Sequence, residues 1–488
     1  MEKPIGEILV VPFFGQGHIL PLIELCKKLS SFYIKTTFVL SIDISSFISS
    51  SLVHHPLVNV VNVDAPIPEP LRPEIKFDPQ PIMLHYKQMR QGVESILISN
   101  YNIAKNNNLK INCAIVDIMM LPYLGDVFTK FQVPIVAFSP FSAASLAMDY
   151  AAWKADVEFV KPGETRLLPD LPDEMSMDYD DIVRRYYSSS EEPLIGTKKK
   201  SFPTQPGDEP LWVQEVKVTI AILVNTYDEL EHTFLEYLAK QTRLPIYGIG
   251  LLPEKFWTLA ATKSLIHDKD IRTINNSSQK SNYSEDEILN WLEKKSPNSV
   301  IYISFGSELM PTLQEHEEIS KALEESSSQN FIWVISKNQD YYPNGLENKV
   351  GKRGLVIHGW APQLLILSHP STSGCMFHCG WNSIMEAIGQ GVPLLAWPIR
   401  GDNFYNAKSI VCHLKIGHMV SSIRENIGLR KIKKEEIIQG IKGLMEDKQV
   451  HNRVKELSEK FRNANFPVGS TSALHDFKDF IMQKQSDD

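Results

Sequence analysis

The strongest constraint on the fold is an alternation of short apolar runs with amphipathic stretches that fills the first half of the chain. Residues 8–14 and 35–41 are typical of buried strands, and residues 19–30 between them carry apolar side chains at helical spacing. The pattern continues with further apolar runs at 113–116, 133–138, 220–225 and 244–252. Strands that alternate with helices predict a parallel sheet covered by helices.

A second block of the same kind follows a break in composition. Residues 262–287 are polar and rich in Asn and Ser, which predicts a linker or surface loop. Beyond them the apolar runs return at 300–304, 331–335, 355–358, 375–378 and 393–396, with helices predicted from about Glu315 and from Ser383. We therefore expect an α/β fold class with two parallel-sheet domains, and a ligand-binding cleft between them.

Composition excludes several classes of protein. With 43% hydrophobic and 22% charged residues over 488 positions, the chain is globular, and its net charge of −8 disfavours nucleic acid or an anionic membrane as a partner. The N-terminal apolar run is too short for a signal peptide or a membrane span. The five cysteines are odd in number and scattered, which disfavours a disulfide framework and indicates a reducing, cytoplasmic location.

The segment 360–403 carries most of the chemical information. A predicted strand leads into His378, Gly380, Asn382 and Ser383, where a helix is expected to begin. The free N–H groups and the positive dipole end of a helix form an anion site. Because no lysine lies in this segment, a bound diphosphate is expected to be held by backbone, hydroxyl, amide and imidazole groups.

Two simpler interpretations of this segment stay open at the level of sequence. Ser383 and Glu386 have the spacing of a capping box, which needs no ligand. Cys375, His378 and Cys379 could bind a metal, although their spacing fits no standard zinc pattern.

The whole segment resembles the donor-binding box of the plant family-1 UDP-glycosyltransferases. The resemblance rests on WAPQ, LSHP, HCGWNS, the glutamate three residues after that serine, GVPLLAWP and the closing Asp402–Asn403 pair. It extends to 12–21, which contains the family's GHxxP element, and to Asp117 at a strand end. Residues 223–231 resemble its LVNTxxELE stretch, and 302–307 resemble its VSFGS turn.

The resemblance implies a GT-B architecture of two facing Rossmann-like domains, transfer of a sugar from a UDP-sugar, and no metal or other cofactor. It gives an acceptor-binding domain at 1–250, a linker at 251–290, a UDP-sugar-binding domain at 291–465, and a terminal helix at 466–488 that returns to the first domain. It also implies binding roles for specific side chains. The residues implied to bind UDP are Ser307, Trp360, Ala361, Gln363, His378, Asn382, Ser383 and Glu386, and those implied to face the sugar are Trp381, Asp402 and Asn403.

One position departs from the family pattern. Members that transfer glucose usually carry Gln where this chain has Asn403, whose amide is one methylene shorter, so its hydrogen bonds to the sugar can be lost or bridged by water. Glucose remains the expected sugar, supported by Trp381, with galactose, xylose or arabinose as alternatives.

A candidate general base lies in the first domain. His18 follows a strand and a Gly-Gln-Gly turn at the start of a predicted helix, where the dipole favours a neutral imidazole. Asp117 at another strand end could hold the second ring nitrogen. With the resemblance, this pair predicts that His18 takes a proton from an acceptor hydroxyl during an inverting displacement of UDP. Without it, His18 could simply cap its helix and Asp117 begin the next one.

The acceptor is expected to be an apolar or aromatic alcohol such as a flavonoid, another phenol or a terpenoid. Soft and aromatic side chains in the first half suit flat, variable ligands, although many of them could be ordinary core residues. The candidates to contact it are Met83, Tyr86, Met119, Met120 and Phe141, with Met148 as a further methionine in the same half. We expect a monomer, and the acceptor atom (O, C, N or S) stays open.

Three other functions compete with this one. Asp178–Asp180 and Asp268–Asp270 both have the D-x-D spacing of metal-dependent sugar transferases, in segments expected to be exposed. The turn at Gly15 and Gly17 could suggest a nicotinamide oxidoreductase, but the third glycine of that fingerprint is missing. A non-catalytic binder of UDP-sugars or small molecules is the third alternative.

Overall fold

The structure is a computed structural model that describes residues 4–45, 52, 55–68, 79–107, 111–187, 206–268, 281–306, 310–336, 341–420, 432–463 and 468–483. The described part of its first half contains nine strands, of which β6 and β7 form a separate antiparallel pair. The strands are β1 (Gly6–Val11), β2 (Ile34–Ser41), β3 (Val58–Val63), β4 (Ile111–Asp117), β5 (Ile135–Ser139), β6 (Thr165–Arg166), β7 (Met177–Asp178), β8 (Ala221–Val224) and β9 (Ile246–Gly248).

Seven helices accompany these strands in the described part of the first half. They are α1 (Gln16–Ser31), α2 (Gln80–Asn107), α3 (Leu121–Lys130), α4 (Ala143–Lys154), α5 (Tyr179–Tyr187), α6 (Leu211–Glu215) and α7 (Asp228–Thr242). The parallel sheet has the order β3-β2-β1-β4-β5-β8-β9. Alternate residues of β1 enter two different cores, Ile8 and Val10 on one face and Leu9 and Val11 on the other. Burial on both faces explains why this strand is apolar throughout.

The second half repeats this architecture. Its strands are β10 (Val300–Ser304), β11 (Asn330–Ile335), β12 (Gly354–His358), β13 (Thr372–Phe377), β14 (Leu394–Ala396) and β15 (Gly417–Met419), in the parallel order β12-β11-β10-β13-β14-β15. Its helices are α8 (Glu254–Ala261), α9 (Glu285–Glu293), α10 (Leu313–Glu325), α11 (Leu346–Val350), α12 (Gln363–Ser368), α13 (Trp381–Gln390), α14 (Asn403–Lys408), α15 (Lys434–Glu446), α16 (Lys448–Asn463) and α17 (Val468–Gln483). The predicted α/β fold class with two parallel sheets is confirmed.

Two helices pack away from their neighbours in sequence. Phe256 and Trp257 of α8 are buried in the core of the second sheet, although they follow the first sheet directly. The terminal helix α17 buries Leu474, Phe477 and Ile481 in a core of the first sheet. Both packings tie the two halves together, since each helix joins the core of one sheet while its chain neighbour belongs to the other.

Candidate active site

The candidate base lies where the strand order of the first sheet reverses. The chain builds β2 and β3 on one side of β1 and then adds β4 on the other, so the crevice at the carboxyl ends of β1 and β4 is a topological switch point. His18 lies in the first turn of α1, just after β1, and Asp117 is the last residue of β4. Neighbouring parallel strands therefore bring two residues together that are 99 positions apart.

His18 and Asp117 form a close hydrogen-bonded pair. His18 Nδ1 lies 2.8 Å from Asp117 Oδ2, and the Asp117 side chain is completely buried while His18 is 14% exposed. The other carboxylate oxygen of Asp117 accepts a hydrogen bond from the backbone N–H of Met119 at 2.9 Å. Because Nδ1 is bonded to the carboxylate, Nε2 is the ring nitrogen expected to accept a proton. Asp117 does not begin the next helix, because α3 starts at Leu121.

A proline in α1 leaves a backbone carbonyl beside the candidate base free to bond the other half of the chain. In an α-helix the N–H of residue i bonds the carbonyl of residue i−4, and Pro21 has no N–H to give to Gly17. The Gly17 carbonyl instead accepts a hydrogen bond from Asn382 Nδ2 at 3.0 Å. Asn382 is in the first turn of α13, so the residue just before His18 touches the N-terminus of the helix expected to bind the diphosphate.

The second sheet has its own switch point, between β10 and β13. Gly306 follows β10, and His378 follows β13. The imidazole of His378 is held between two glycines, because a Cβ added at Gly306 would lie 2.9 Å from its Cε1 and one at Gly380 would lie 2.5 Å from its Nε2. Gly306 also has a positive φ of 77°, which favours glycine. The two glycines therefore leave room for the ring and for little else.

The chemistry of His378 suits an anionic ligand. Burial lowers the pKa of this imidazole to about 4, so the ring is neutral near pH 7. Its Nδ1 is buried and lacks a hydrogen-bond partner among the described residues. A buried polar atom without a partner is costly and indicates that a ligand group completes the site.

Helix α13 begins two residues earlier than predicted. Its N-cap is Gly380, the first helical bond runs from the N–H of Ile384 to the Gly380 carbonyl, and no described side chain caps this end. The backbone N–H groups of the first turn are thus available to an anion. The capping-box interpretation is wrong, since Ser383 lies inside the helix and its hydroxyl accepts from Gln363 Nε2 at 3.1 Å.

Ser383 and Glu386 belong to a polar network around Gln363. Gln363 Nε2 also donates to Glu386 Oε2 at 2.7 Å, and the Tyr302 hydroxyl donates to Gln363 Oε1 at 3.3 Å. Glu386 is 2% exposed, so its orientation is fixed by these neighbours. The backbone at the start of α12, which carries Gln363, is held by Asp268, whose Oδ2 accepts from the N–H groups of Leu364 and Leu365.

The residues expected to face the sugar differ in how they are held. Trp381 is 4% exposed, and its indole N–H donates to the backbone carbonyl of Asn225 in the first domain at 2.7 Å. Asn403 is 3% exposed, and its short amide lies against backbone carbonyls of the turn that follows β13. Asp402 is partly buried, and burial raises its pKa to about 6. In this conformation, Trp381 and Asn403 therefore make protein contacts, and Asp402 keeps the most open polar group of the three.

Some of the predicted acceptor residues lie near His18 or are exposed, and others are buried in the core. Phe141 packs its ring edge-on against His18 with centroids 5.6 Å apart, and Tyr86 stacks on Tyr123 on the same side of the sheet. Met83 is 50% exposed and Met119 is half-buried. Met120 departs from the expectation, because it is completely buried in the core beneath α3 and does not line the cleft. Met148 is likewise a buried core residue.

Other predicted residues have simpler outcomes. Ser307 and Asp270 lie outside the described residues. Trp360 is half-buried and Ala361 buried, just after β12 at the same edge of the sheet as His378. The expectation of an exposed D-x-D at Asp268 is wrong, since this residue is buried against α12.

In the part of the chain that the structure describes, no three His, Cys, Asp or Glu side chains gather as a metal-binding group. Asp178 is exposed and exchanges hydrogen bonds with Asp181 at the start of α5. No helix among the described residues has the length and apolar character needed to cross a bilayer.

Three polar residues at the junction were not singled out from the sequence. Asn225 follows β8, and its Nδ2 donates to Asn382 Oδ1 at 3.1 Å. Glu231 is buried in a kink of α7 and accepts from the N–H groups of Ala143 and Ala144. Asn406 of α14 reaches across to the first domain. Asn225 and Glu231 fall within the 223–231 stretch, so that motif was the available signal.

Comparison with known proteins finds relatives along nearly the whole chain. Residues 226–468 match the family model described as UDP-glucoronosyl and UDP-glucosyl transferase. The chain is 28% identical to a scopoletin glucosyltransferase of Nicotiana tabacum over 94% of both proteins. It is also 28% identical to UDP-glucose flavonoid 3-O-glucosyltransferase 7 of Fragaria ananassa, over 95% of this chain and 93% of that one. Its fold is similar to that of Medicago truncatula UGT71G1 complexed with UDP-glucose, with a TM-score of 0.73, 24% identity and 98% of each chain covered.

Proposed function

Because the chain belongs to the plant family-1 UDP-glycosyltransferases, and is thus a glycosyltransferase with the GT-B fold, we propose that it transfers glucose from UDP-glucose to a hydroxyl of a small phenolic or other apolar acceptor. Relatives named for scopoletin and flavonoid glucosylation support this acceptor class. A terpenoid alcohol remains within the proposal, and galactose, xylose or arabinose are the alternative sugars.

The observation that carries the proposal is the contact between Asn382 and the Gly17 carbonyl. It brings the N-terminus of α13 next to the residue that precedes His18, which supports one cleft that would hold both the proposed anion site and the proposed base. The diphosphate would be held by the first turn of α13, by the hydroxyl of Ser383 and by the unpartnered Nδ1 of His378.

The other parts of the UDP-sugar donor would bind along the same edge of the second sheet. Trp360 would stack on the uracil, because an aromatic ring on a base contributes about 1–3 kcal/mol. The backbone of Ala361 would bond the uracil edge, and the ribose hydroxyls would bond Gln363 and Glu386, which are already oriented by one another. Asp402 would accept from a sugar hydroxyl, with Trp381 and Asn403 shaping the same end of the site, and Ser307 would contribute to the diphosphate site.

The reaction would be a single displacement with inversion. The acceptor oxygen attacks the anomeric carbon while its proton passes to Nε2 of His18, and the bond from that carbon to the phosphate oxygen breaks with its electron pair leaving on UDP. Asp117 holds the Nδ1 proton and stabilises the imidazolium as it forms. General-base assistance of this kind accounts for about 10²–10⁴-fold in rate. Hydrogen-bond donors of α13 would stabilise the negative charge of the leaving diphosphate, without a metal.

Tyr86, Met119 and Phe141 would contact the acceptor beside His18, with Met83 at the rim. We propose an acceptor domain at 1–250, a linker at 251–290, a donor domain at 291–465 and a terminal helix at 466–488 that belongs with the first domain. A cytoplasmic location is part of the proposal, since all five cysteines are free thiols. A monomer is also part of the proposal.

The proposed reaction is tested by incubating the protein with UDP-glucose, UDP-galactose or UDP-xylose and a panel of phenols and alcohols. Mass spectrometry identifies the products. A mass gain of one hexose that requires UDP-glucose supports the proposal. Binding of UDP-glucose without any product from the panel would favour the non-catalytic alternative, and activity that is lost with EDTA and restored by Mn²⁺ would favour a metal-dependent transferase.

The base assignment has its own test. His18→Ala should lower turnover at least about 10²-fold and leave UDP-glucose affinity unchanged, because the imidazole acts on the acceptor proton. His232→Ala is the control, since His232 is an exposed residue of α7 paired only on the surface. Near-normal turnover of His18→Ala would contradict the assignment.

A further inference from the structure

A buried amide joins the two domains at the sugar end of the cleft. Asn406 of α14 is completely buried, and it uses both ends of its amide. Its Oδ1 accepts from the Ser142 hydroxyl of the first domain at 2.6 Å. Its Nδ2 donates to Asp402 Oδ2 at 2.8 Å and to the Cys379 carbonyl at 3.0 Å. One side chain thus contacts three separate parts of the proposed site.

The contact in the first domain is itself rigid. Ser142 is the N-cap of α4, and its hydroxyl oxygen also accepts from the Ser145 N–H at 2.9 Å. The same helix end is bonded by both carboxylate oxygens of the buried Glu231. Phe141, the residue before Ser142, packs on His18. Asn406 is therefore anchored to the segment that borders the proposed base.

The contacts in the second domain face the donor. Cys379 has a positive φ of 68° in the turn between His378 and Gly380, and its carbonyl accepts from Asn406. Asp402 stands at the start of α14, and the donor it contacts on that helix is Asn406. Arg185 of α5 and the titratable imidazole of His18 in α1 also act electrostatically on Asp402 from other elements.

We propose that Asn406 is a positioning residue that holds Asp402 in its sugar-binding orientation and couples it to the first domain through Ser142, so that the sugar contact is complete only when the two domains are docked. This inference rests on the proposed function. It assigns Asn406 no contact with the substrate. Its effect passes through Asp402, whose carboxylate would otherwise be free to turn.

The test uses Asn406→Asp, which preserves shape and leaves one oxygen for the Ser142 hydroxyl. The other oxygen replaces the donor to Asp402, so two carboxylates face each other and repel when both are ionised. We expect kcat/KM for UDP-glucose at pH 8 to fall at least about tenfold, as is usual for loss of a charge-assisted hydrogen bond. At pH 6 the pair shares a proton, which restores a donor, and the deficit should shrink at least about threefold.

Two binding measurements separate positioning from a damaged fold. UDP lacks the sugar, so calorimetry should give the same UDP affinity for Asn406→Asp and the unchanged protein, while UDP-glucose affinity falls. Ser142→Ala, which removes the link to Asn406 together with the side-chain cap of α4, should lower UDP-glucose affinity about threefold and leave UDP affinity unchanged. The control is Asn112→Asp, another buried Asn, far from the cleft, whose Oδ1 accepts from the Glu7 N–H. It should retain the original pH profile.

A deficit of Asn406→Asp that is equal at pH 6 and pH 8, or a parallel loss of UDP affinity, would overturn the inference. If the unchanged protein binds UDP-glucose but transfers no sugar, the proposed function fails, and the comparison of UDP with UDP-glucose affinity still decides the role of Asn406.

Discussion

The environment of His378 predicts that a single methyl group at Gly380 will disable donor binding. An alanine Cβ there would lie 2.5 Å from His378 Nε2, whereas ordinary contacts begin near 3.4 Å, so the ring must move by about 0.9 Å. Its room to move is small, because the Gly306 backbone also lies close to the ring, so close that a Cβ added at Gly306 would be 2.9 Å from His378 Cε1. The backbone of Gly380 itself is extended, with φ −65° and ψ 133°, which alanine adopts freely. The clash is therefore with the ring alone.

A displacement of about 1 Å at a reacting centre costs about 10²-fold. We expect Gly380→Ala to lower kcat/KM for UDP-glucose by about this factor, mainly through a higher KM, measured by initial rates with a fixed acceptor. Gly125→Ala in α3 is the matched control, since its Cβ would lie 3.5 Å from Val218 in ordinary contact and alanine favours the helix by about 1 kcal/mol.

A double-mutant cycle isolates the mechanism of this loss. His378→Ala removes the ring and leaves room for the methyl group at position 380. Adding Gly380→Ala to that variant should therefore lower kcat/KM less than twofold further. The reasoning would be refuted if kcat/KM of Gly380→Ala stayed within threefold of the original value. Full additivity of the two substitutions would refute it as well.

Three further predictions concern helix α1, the diphosphate site and the junction. Pro21→Ala supplies an N–H that competes with Asn382 for the Gly17 carbonyl. Thermal melting should therefore show equal or higher stability, while kcat/KM falls about threefold or more. Unchanged activity would contradict this prediction. Bound diphosphate should raise the pKa of His378 from about 4, so the protein should take up protons when it binds UDP-glucose near pH 5. Calorimetry in two buffers of different ionisation enthalpy measures this uptake, which should be absent in His378→Gln. Burial raises the pKa of Glu231 to about 7, above its ordinary 4.5, so the folded state holds the extra proton and the free energy of unfolding should fall by up to ~3 kcal/mol as pH rises from 4.5 to 7. Urea titrations should show this slope, and an equal slope in Glu231→Gln would contradict it.

The sequence predicted the parts of the fold that are buried on both sides. β10 was predicted with its exact bounds, and β1, β4 and β13 were found within a few residues, because fully buried strands are continuous apolar runs. β3 was missed, since its sequence VNVVNV is half-exposed and interrupted by asparagines. The short edge strand β15 was missed as well, because three residues carry too little pattern to detect.

The positions of the candidate site residues in the fold were predictable where sequence motifs mark them. Strand ends at the two switch points account for His18, Asp117 and His378. The hydrogen bonds between the two halves could not be predicted, since Ser142 lies 264 residues from Asn406 and Asn382 lies 157 residues from Asn225, which leaves no local pattern. The start of α13 was misjudged because Asn382 and Ser383 are good caps, whereas the structure uses Gly380 and so frees the first turn.

The most direct test of the central claim is a crystal structure of the protein with an unreactive fluorinated analogue of UDP-glucose. We predict the diphosphate at the first turn of α13, within hydrogen-bond distance of His378 Nδ1, and the anomeric carbon facing Nε2 of His18 across a gap that admits one acceptor oxygen. A nucleotide bound elsewhere, or an anomeric carbon turned away from His18, would contradict it.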